Sequence, residues 1–507
     1  MLLIKEIKSH QEIDEKGLAR LVERKLRCKI NSLQIQRKAI DARDGLLYVY
    51  NVLVEVDNED KYLGKNVSIY IPRDLSVEHL DRNKTCIIVG YGPAGIFSAY
   101  RLSEAGYRVL VFEKGKRIKE RAKDVEAFFN GGKLNPKSNV QYGEGGAGTF
   151  SDAKLTTRIK DDFVEYILKV FVEHGAKKSI MYENHPHIGT DKIREIIANM
   201  TDDLMNRGVE FHFEEEAEDI VIDENRNVRG IKTSLGEYPC DHLLLGMGHS
   251  AYESVEMLRS HGVYIEDKDI AIGFRVEHPQ DFIDMNQTSG MVKEANEYFL
   301  RYKDEKGVYS FCMCPGGIVV PAMSDVGTIV TNGMSYADRS SGIANSAILI
   351  QIRKDEFDDG YRYLKSIEEK AYAYSDSYKA LSQNIKDFME GKLDELIFES
   401  SYPLKTVLYD FNNFFKPSDL EIIKRAFRDF DRKIPGFIDN GIMVGPETRS
   451  SCPIRITRNE DFESINTGNL FPMGEGSGYG GGIMSCALDG IRVANKIISN
   501  YGKVSAE

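Results

Sequence analysis

The spacing of apolar and polar positions divides the chain into stretches of different character. Over residues 17–27, Leu18, Leu21, Val22 and Leu26 recur at helical spacing. Residues 32–39, 46–56 and 67–72 follow as strand-like segments. Residues 1–82 therefore predict a small N-terminal α+β domain, with a ferredoxin-like sandwich as one arrangement. After the polar joint Asp81-Arg82-Asn83-Lys84, the run Thr85-Cys86-Ile87-Ile88-Val89 reads as a buried strand. Up to residue 255, short apolar strands alternate with helices. The clearest strands are 109–112, 209–213, 220–222 and 242–245, the amphipathic helices 161–174 and 192–206, and residues 226–241 suggest a hairpin. This alternation predicts an α/β Rossmann-like domain. Residues 256–458 predict a second α+β substrate or cap domain: strands at 270–276 and 327–331, helices at 343–350, 361–381 and 420–431, and an aromatic-rich stretch at 409–415. Residues 459–507, with a helix over 484–499, return to the first domain, which thus comprises 83–255 and 459–507.

The strongest local signal is Gly90-Tyr91-Gly92-Pro93-Ala94-Gly95. It follows the strand 85–89 and opens a helical stretch over 94–103. The next strand ends at Glu113-Lys114, Glu113 lying 18 residues beyond Gly95. This is the dinucleotide-binding pattern: Gly90 permits the turn, Gly92 lets backbone approach a pyrophosphate, and Gly95 lets helix and strand pack closely. The helix start offers unpaired N–H groups to phosphate. Glu113 suits the ribose hydroxyls and disfavours a 2′-phosphorylated ligand. Two further glycine-dense segments, residues 142–152 with Lys154 beyond them and residues 474–483, also bring backbone close to an extended ligand. The second opens another helix, whose positive end suits negative charge.

Through these segments, and through 246–250, 312–317 and 332–347, the chain resembles the FAD-dependent dehydrogenases of the glutathione-reductase-like superfamily. It looks closest to the bacterial FAD-utilising dehydrogenases with a small N-terminal domain. The resemblance implies FAD as cofactor. It places Glu475 near ribityl or pyrophosphate-side groups, with Gly474 and Gly481 in the same segment and Gly482-Ile483 against the isoalloxazine. It further implies that Gly145, Gly146 and Ser151 lie over the flavin and that Gly248 lies near the adenosine half. Apart from the glycine loop at 143–148, no second GxGxxG occurs between 114 and 473 and no CxxxxC follows the first, so neither a separate nicotinamide domain nor disulfide reductase chemistry is expected. NADH or NADPH bound transiently over the flavin is a candidate partner.

Candidate catalytic groups are few. Cys312-Met313-Cys314 offers a thiolate beside the flavin, or two small hydrophobes on a turn. Arg339 offers an anion clamp, with Ser340 or Ser341 capping a helix as the structural alternative. His249 and His278 are candidate proton donors. Lys154 stands to stabilise reduced flavin or to make an ordinary salt bridge. His185-Pro186-His187 reads as a turn, and no metal site is expected.

Composition sets outer bounds. The 507 residues, 42 % of them hydrophobic, suffice for two or three domains. Seven irregularly spaced cysteines argue for a reducing compartment. No signal-peptide pattern is present, and no run reaches the roughly 20 apolar residues of a membrane span. A cytoplasmic protein with a small-molecule substrate is expected, with no stable nucleic-acid or membrane partner. A net charge of −12 opposes polyanions. Eight Lys or Arg between Arg20 and Arg43, against Glu23 and Asp41, nevertheless keep open an RNA- or protein-directed flavoprotein acting through the N-terminal domain. A non-enzymatic redox sensor or scaffold is the third reading.

Overall fold

The computed structural model describes residues 1–41, 45–80, 83–292 and 294–501. Arg43 of the basic stretch, Asp81 and Arg82 of the polar joint, and residues 502–507 lie outside them. The N-terminal unit is a four-stranded antiparallel sheet in the order Ser32–Asp41, Leu47–Glu55, Leu2–Ser9, Val67–Ile69. The helix Glu15–Leu26 buries Leu18 and Val22 in a core that includes Ile4, Val52 and Val54. Sequence pattern did not predict the strand Leu2–Ser9. Its register slips between Ile4 and Ile7, with Glu6 at φ 59°, so the two-residue alternation is broken at a bulge. Part of the basic stretch is consumed in docking. The Lys38 N–H donates to the Tyr182 carbonyl, and Arg37 Nη2 donates to Asn184 Oδ1 at 2.7 Å.

A five-stranded parallel sheet follows, in the order Leu470–Pro472, His242–Leu245, Thr85–Val89, Arg108–Glu113, Glu210–Phe213. The first strand of the unit stands in the middle, so its carboxyl end opens at the point where strand order reverses, where α/β sheets bind ligands. The helices Pro93–Glu104 and Ile483–Tyr501 pack against each other so closely that a Cβ on Gly490 would lie 2.2 Å from the Ala94 carbonyl oxygen. The expected hairpin is present as Val228–Thr233 and Gly236–Pro239, joined by Asp219–Ile222 in a three-stranded sheet. A helix at Ile118–Phe129, which no sequence signal singled out, lies between the second strand and the glycine loop.

The remaining large unit is built on a seven-stranded sheet: Arg301–Lys303, Gly307–Cys314, Ile343–Ile352, Ile270–Pro279, Ile442–Glu447, Ala380–Asn384, Thr406–Leu408. Residues 343–350, expected as a helix, form a central strand of it. Burial on both faces turns such a strand into an unbroken apolar run, which periodicity alone does not distinguish from a buried helix. Ser340 and Ser341 consequently cap no helix. The helix expected over 361–381 ends at Ser375, and Ala380–Asn384 joins the sheet instead. The strand expected at 327–331 lies at Thr331–Met334. Chain entry and exit pair with each other, Ile265–Asp267 against Ile454–Ile456.

Candidate functional site

The carboxyl end of Thr85–Val89 opens into a cleft whose walls come from both large units. The helix Pro93–Glu104 begins at its floor. Gly92 is the N-cap and supplies no side-chain cap, so the first-turn N–H groups lack the partner a Ser or Asp would provide. Gly95 faces away from the cleft: a Cβ there would lie 2.2 Å from the Gly90 carbonyl oxygen, which only glycine permits. Gly90, Gly92, Pro93 and Ala94 line the cleft itself.

Glu113 lines it too, but its carboxylate has a second task. Oε2 accepts from the Tyr91 N–H at 3.0 Å, and Oε1 accepts from Gly115 at 2.8 Å and Gly143 at 3.0 Å. One buried carboxylate thus ties the dinucleotide turn, its own strand end and the glycine loop together. Lys114 stands beside it with Nζ 3.6 Å from the Tyr142 ring centre.

The glycine loop is held from beneath by Arg121, on the helix that sequence reasoning missed. This fully buried guanidinium donates to the carbonyls of Asn139 (2.8 Å), Val140 (3.0 Å), Gly143 (3.2 Å) and Glu144 (2.7 Å), and to Thr149 Oγ1 (2.9 Å). Burial holds it down to about 9. Gly146 and Ser151 line the cleft, and a Cβ on Gly146 would lie 3.0 Å from Gly92 Cα. Gly145 instead turns under the loop, against Thr149 and Ile197.

The helix Ile483–Tyr501 starts on the opposite side. Glu475, Gly482 and Ile483 line the cleft. Gly481 donates its N–H to Ser485 Oγ, while Gly474 packs on Ala94, where a Cβ would lie 2.9 Å from Ala94 Cβ. Gly248 and Gly482 border open space, with nothing within 4 Å of an added Cβ. Two helix starts and two glycines facing free space therefore fit a long, phosphate-bridged ligand. His249 Nδ1 lies 3.4 Å from Glu475 Oε1, and its Nε2 is buried without a hydrogen-bond partner.

The expected catalytic groups are only partly gathered. Cys312 lines the cleft, and Cys314 is buried behind it. Lys154 also lines the cleft. Its ammonium donates to the Met313 carbonyl and lies 3.1 Å from Glu297 and 3.9 Å from Asp152. Burial opposes that charge, but Glu297 and Asp152 outweigh it and hold the ammonium above its ordinary value. The expectation of Arg339 as a free anion clamp is corrected. It borders a second cleft, and its Nη2 is taken by Asp152 at 2.9 Å and Glu297 at 3.3 Å. His278 is likewise corrected: it is wholly buried against Phe437, with Nε2 2.8 Å from that residue's carbonyl oxygen, and lines neither of these two clefts. His187 pairs in a bridge with Lys154, and among the described residues no group of three or more His, Cys, Asp or Glu stands ready to hold a metal.

On the domain-two side, Arg275 and Glu447 form a buried fork, with bonds of 2.5 and 3.0 Å. Burial raises Glu447 to about 7 against the opposing pull of Arg275. Arg449 also lines the cleft, with its donors committed to Glu368, Asp325, Ser250 and Ser324. Sequence spacing carried no signal for either arginine.

Over 502 residues the chain is 37 % identical to an uncharacterised protein of Clostridium beijerinckii, covering 93 % of each chain. Residues 269–450 match the family described as FAD-dependent protein, C-terminal domain-like, and residues 88–144 match the NAD(P)-binding Rossmann-like domain. The chain belongs to this family of FAD-dependent proteins. The flavoprotein takes FAD as its cofactor and, since redox chemistry is what flavin brings to a protein, is an FAD-dependent oxidoreductase. Among solved structures, a geranylgeranyl bacteriochlorophyll reductase-like protein of Thermoplasma acidophilum is 13 % identical, covering 83 % of this chain and 80 % of that one, at a TM-score of 0.37. Tetracycline destructase Tet(55) is 10 % identical, over 84 % and 83 %, also at 0.37. Likeness this remote carries over no substrate. Among the described residues of the flavoprotein, no helix is long and apolar enough to cross a membrane.

Proposed function

We propose that the flavoprotein moves a hydride between its flavin and a small organic molecule bound where the two large units meet. The observation that carries this reading is the convergence of two glycine-led helix starts on one cleft whose far wall belongs to the second unit. In it, Gly90, Gly92, Pro93, Ala94 and Gly95 form the pyrophosphate turn, with Glu113 and Lys114 at the ribose and Gly248 beside the adenosine half. Glu475 serves the ribityl side. Gly474 and Gly481 shape the segment that presents Gly482 and Ile483 to the ring, and Gly146, Ser151 and Lys154 cover it, with Gly145 turned under that loop. When bound, FAD supplies the hydride acceptor or donor; the chain's own residues orient it and exclude water. The start of the helix Ile483–Tyr501 would favour negative charge on a flavin bound there.

The same reading divides the chain into an N-terminal unit of residues 1–82, an FAD-binding unit of 83–255 and 459–507, and a substrate unit of 256–458. The antiparallel order of the first sheet and its single helix suit a ferredoxin-like unit whose second helix is reduced to the turn Glu59–Tyr62. The reading further places the protein in the cytoplasm, with NADH or NADPH as a transient reductant and no separate nicotinamide domain. Anaerobic stopped-flow mixing of the FAD-loaded protein with NADH, NADPH and a metabolite panel tests it. Bleaching of the flavin absorbance by one of them is expected. Uniformly slow reduction by all of them, in protein that holds FAD, overturns it in favour of a non-enzymatic role.

A further inference from the structure

Ion pairs cross directly from the wall of the first cleft to the wall of the second. Asp152 and Lys154 line the first. Glu297, Arg339 and His187 line the second, which has a volume of about 1340 Å³ and is closed on one side by Lys38 and Ile40 of the N-terminal unit. Arg339 Nη2 donates to Asp152 Oδ2 at 2.9 Å and to Glu297 Oε1 at 3.3 Å, and Lys154 Nζ lies 3.1 Å from Glu297 Oε2. His187 pairs with Lys154 in a backbone bridge. A guanidinium beside a carboxylate commonly forks onto it with two parallel bonds. Here one nitrogen serves two carboxylates instead. Among the described residues, Asp152 Oδ1, Arg339 Nε and His187 Nε2 are all buried without a hydrogen-bond partner. Asp152 is only 1 % exposed, so bulk water does not serve its carboxylate. Buried polar atoms are ordinarily paired, and three orphans in one cluster of five residues mark a place built to take a polar group. The backbone is strained on both sides of it, with Ala153 at φ 51° and Arg339 at φ 50°.

We infer that this cluster binds the substrate and that the group it takes is a neutral hydroxyl, the substrate being an alcohol that enters through the second cleft. The inference rests on the reading of the first cleft as the flavin site. Charge decides the class. Lys154 and Arg339 supply two positive charges and Asp152 and Glu297 two negative ones. Burial, with Arg339 nearby, holds His187 neutral, down to about 4. An ammonium entering here would meet two cations and a carboxylate two anions, with no unbalanced charge to offset the desolvation of either. Hydrogen bonding narrows the class further. An ionised Asp152 Oδ1 only accepts, Arg339 Nε only donates, and the His187 ring nitrogen can do either. A hydroxyl donates and accepts from a single atom, whereas a carbonyl or an ether oxygen cannot donate. Burial also pushes the Asp152 carboxyl up, against the pull of Arg339 and Lys154, which makes it a better acceptor of a hydroxyl proton. The loop that carries Asp152 packs on the second helix start, where a Cβ on Gly148 would lie 2.9 Å from Ile483 Cγ1. The hydroxyl is thereby placed between the flavin end of the first cleft and the larger cleft, and the N-terminal unit gains a part in enclosing the substrate.

The test titrates the FAD-loaded full chain with probes of one skeleton that differ only in the polar group: cyclohexanol, cyclohexanone, cyclohexylamine and cyclohexanecarboxylate, with the benzyl series (benzyl alcohol, benzaldehyde, benzylamine, benzoate) alongside. The readout is a saturable change in the flavin absorbance spectrum, which needs no turnover. Within a series the alcohol is expected to half-saturate at a concentration at least about tenfold lower than the amine, the carboxylate or the carbonyl compound. Asp152→Asn puts an amide NH₂ where only acceptors stood, so it should shift the preference from the alcohol towards the carbonyl compound by at least about tenfold while flavin content is kept. A merely structural role for Asp152 would weaken all probes alike. No response to either alcohol, a stronger response to an amine or a carboxylate, or an unchanged alcohol-to-carbonyl ratio in D152N overturns the inference. If D152N does not fold, the ranking in the parent chain decides alone. Failure of the functional reading shows separately. A chain that holds FAD and is bleached by a reductant without a hydroxyl at its reacting carbon keeps that reading while sinking this inference, and a chain that holds no FAD fails the reading itself.

Discussion

Replacing Arg121 with lysine probes the cleft from outside it. The guanidinium makes five hydrogen bonds to residues 139–149, four of them to main-chain carbonyls. An ammonium has three donors and a compact tip, so Arg121→Lys gives up at least two of these five buried hydrogen bonds. Each lost hydrogen bond to the charged group costs about 1–3 kcal/mol, giving about 2–6 kcal/mol for the loop. Burial already holds the arginine down to about 9, and a lysine in the same place would lose its proton more readily still. Because residues 146–154 form one wall of the cleft, the cost is expected as lost cofactor affinity. At the lower figure of about 2 kcal/mol, FAD binding weakens about 30-fold. Apoprotein is titrated with FAD by quenching of flavin fluorescence, and the melting of the apoprotein is followed as a control. An R121K variant that binds FAD within twofold of the parent and melts at the same temperature would refute the idea that this residue shapes the site.

Three more outcomes follow from the same geometry. Glu113→Gln removes the charge that three main-chain N–H groups share and puts an amide NH₂ against at least one of them; FAD affinity should fall about 10- to 100-fold, measured by the same titration. Gly248→Val and Gly95→Ala should behave oppositely. The first adds bulk only to open space, so apoprotein melting is kept while FAD binding drops at least about tenfold; the second drives a Cβ to 2.2 Å from a carbonyl oxygen, costing about 1–3 kcal/mol or more in melting before cofactor is considered. The third concerns pH. His242 and His278 are buried and held neutral, each lowered to about 4 chiefly by desolvation, against about 6.5 in the unfolded chain. The unfolded state therefore takes up protons first. Stability is full above about pH 6.5, falls as pH drops towards about 4, and levels off below, each histidine contributing about 2 kcal/mol of the loss by pH 5. Melting curves at pH 7.5 and 5 check this, and His242→Phe should flatten the dependence.

The sequence by itself determined the parts whose physics is local. A strand, a glycine turn without side chains in the way, a helix start and a terminal carboxylate follow one another within residues 85–113, and each is recognisable from its neighbours alone. The second glycine-led helix start at 482–483 is legible for the same reason. Tertiary structure decided what depends on distant partners. Arg339 reads as a free cation until Asp152, 187 positions away, claims it. Arg275 and Glu447 stand 172 positions apart and have no spacing to betray them. Residues 343–350 look helical because a strand buried on both faces loses its alternation. Arg121 carries no signal in the sequence until the loop at 139–149 folds over it. Hydrophobic periodicity records which face of an element is wet; it does not record which charge, brought from elsewhere in the chain, will neutralise another inside it.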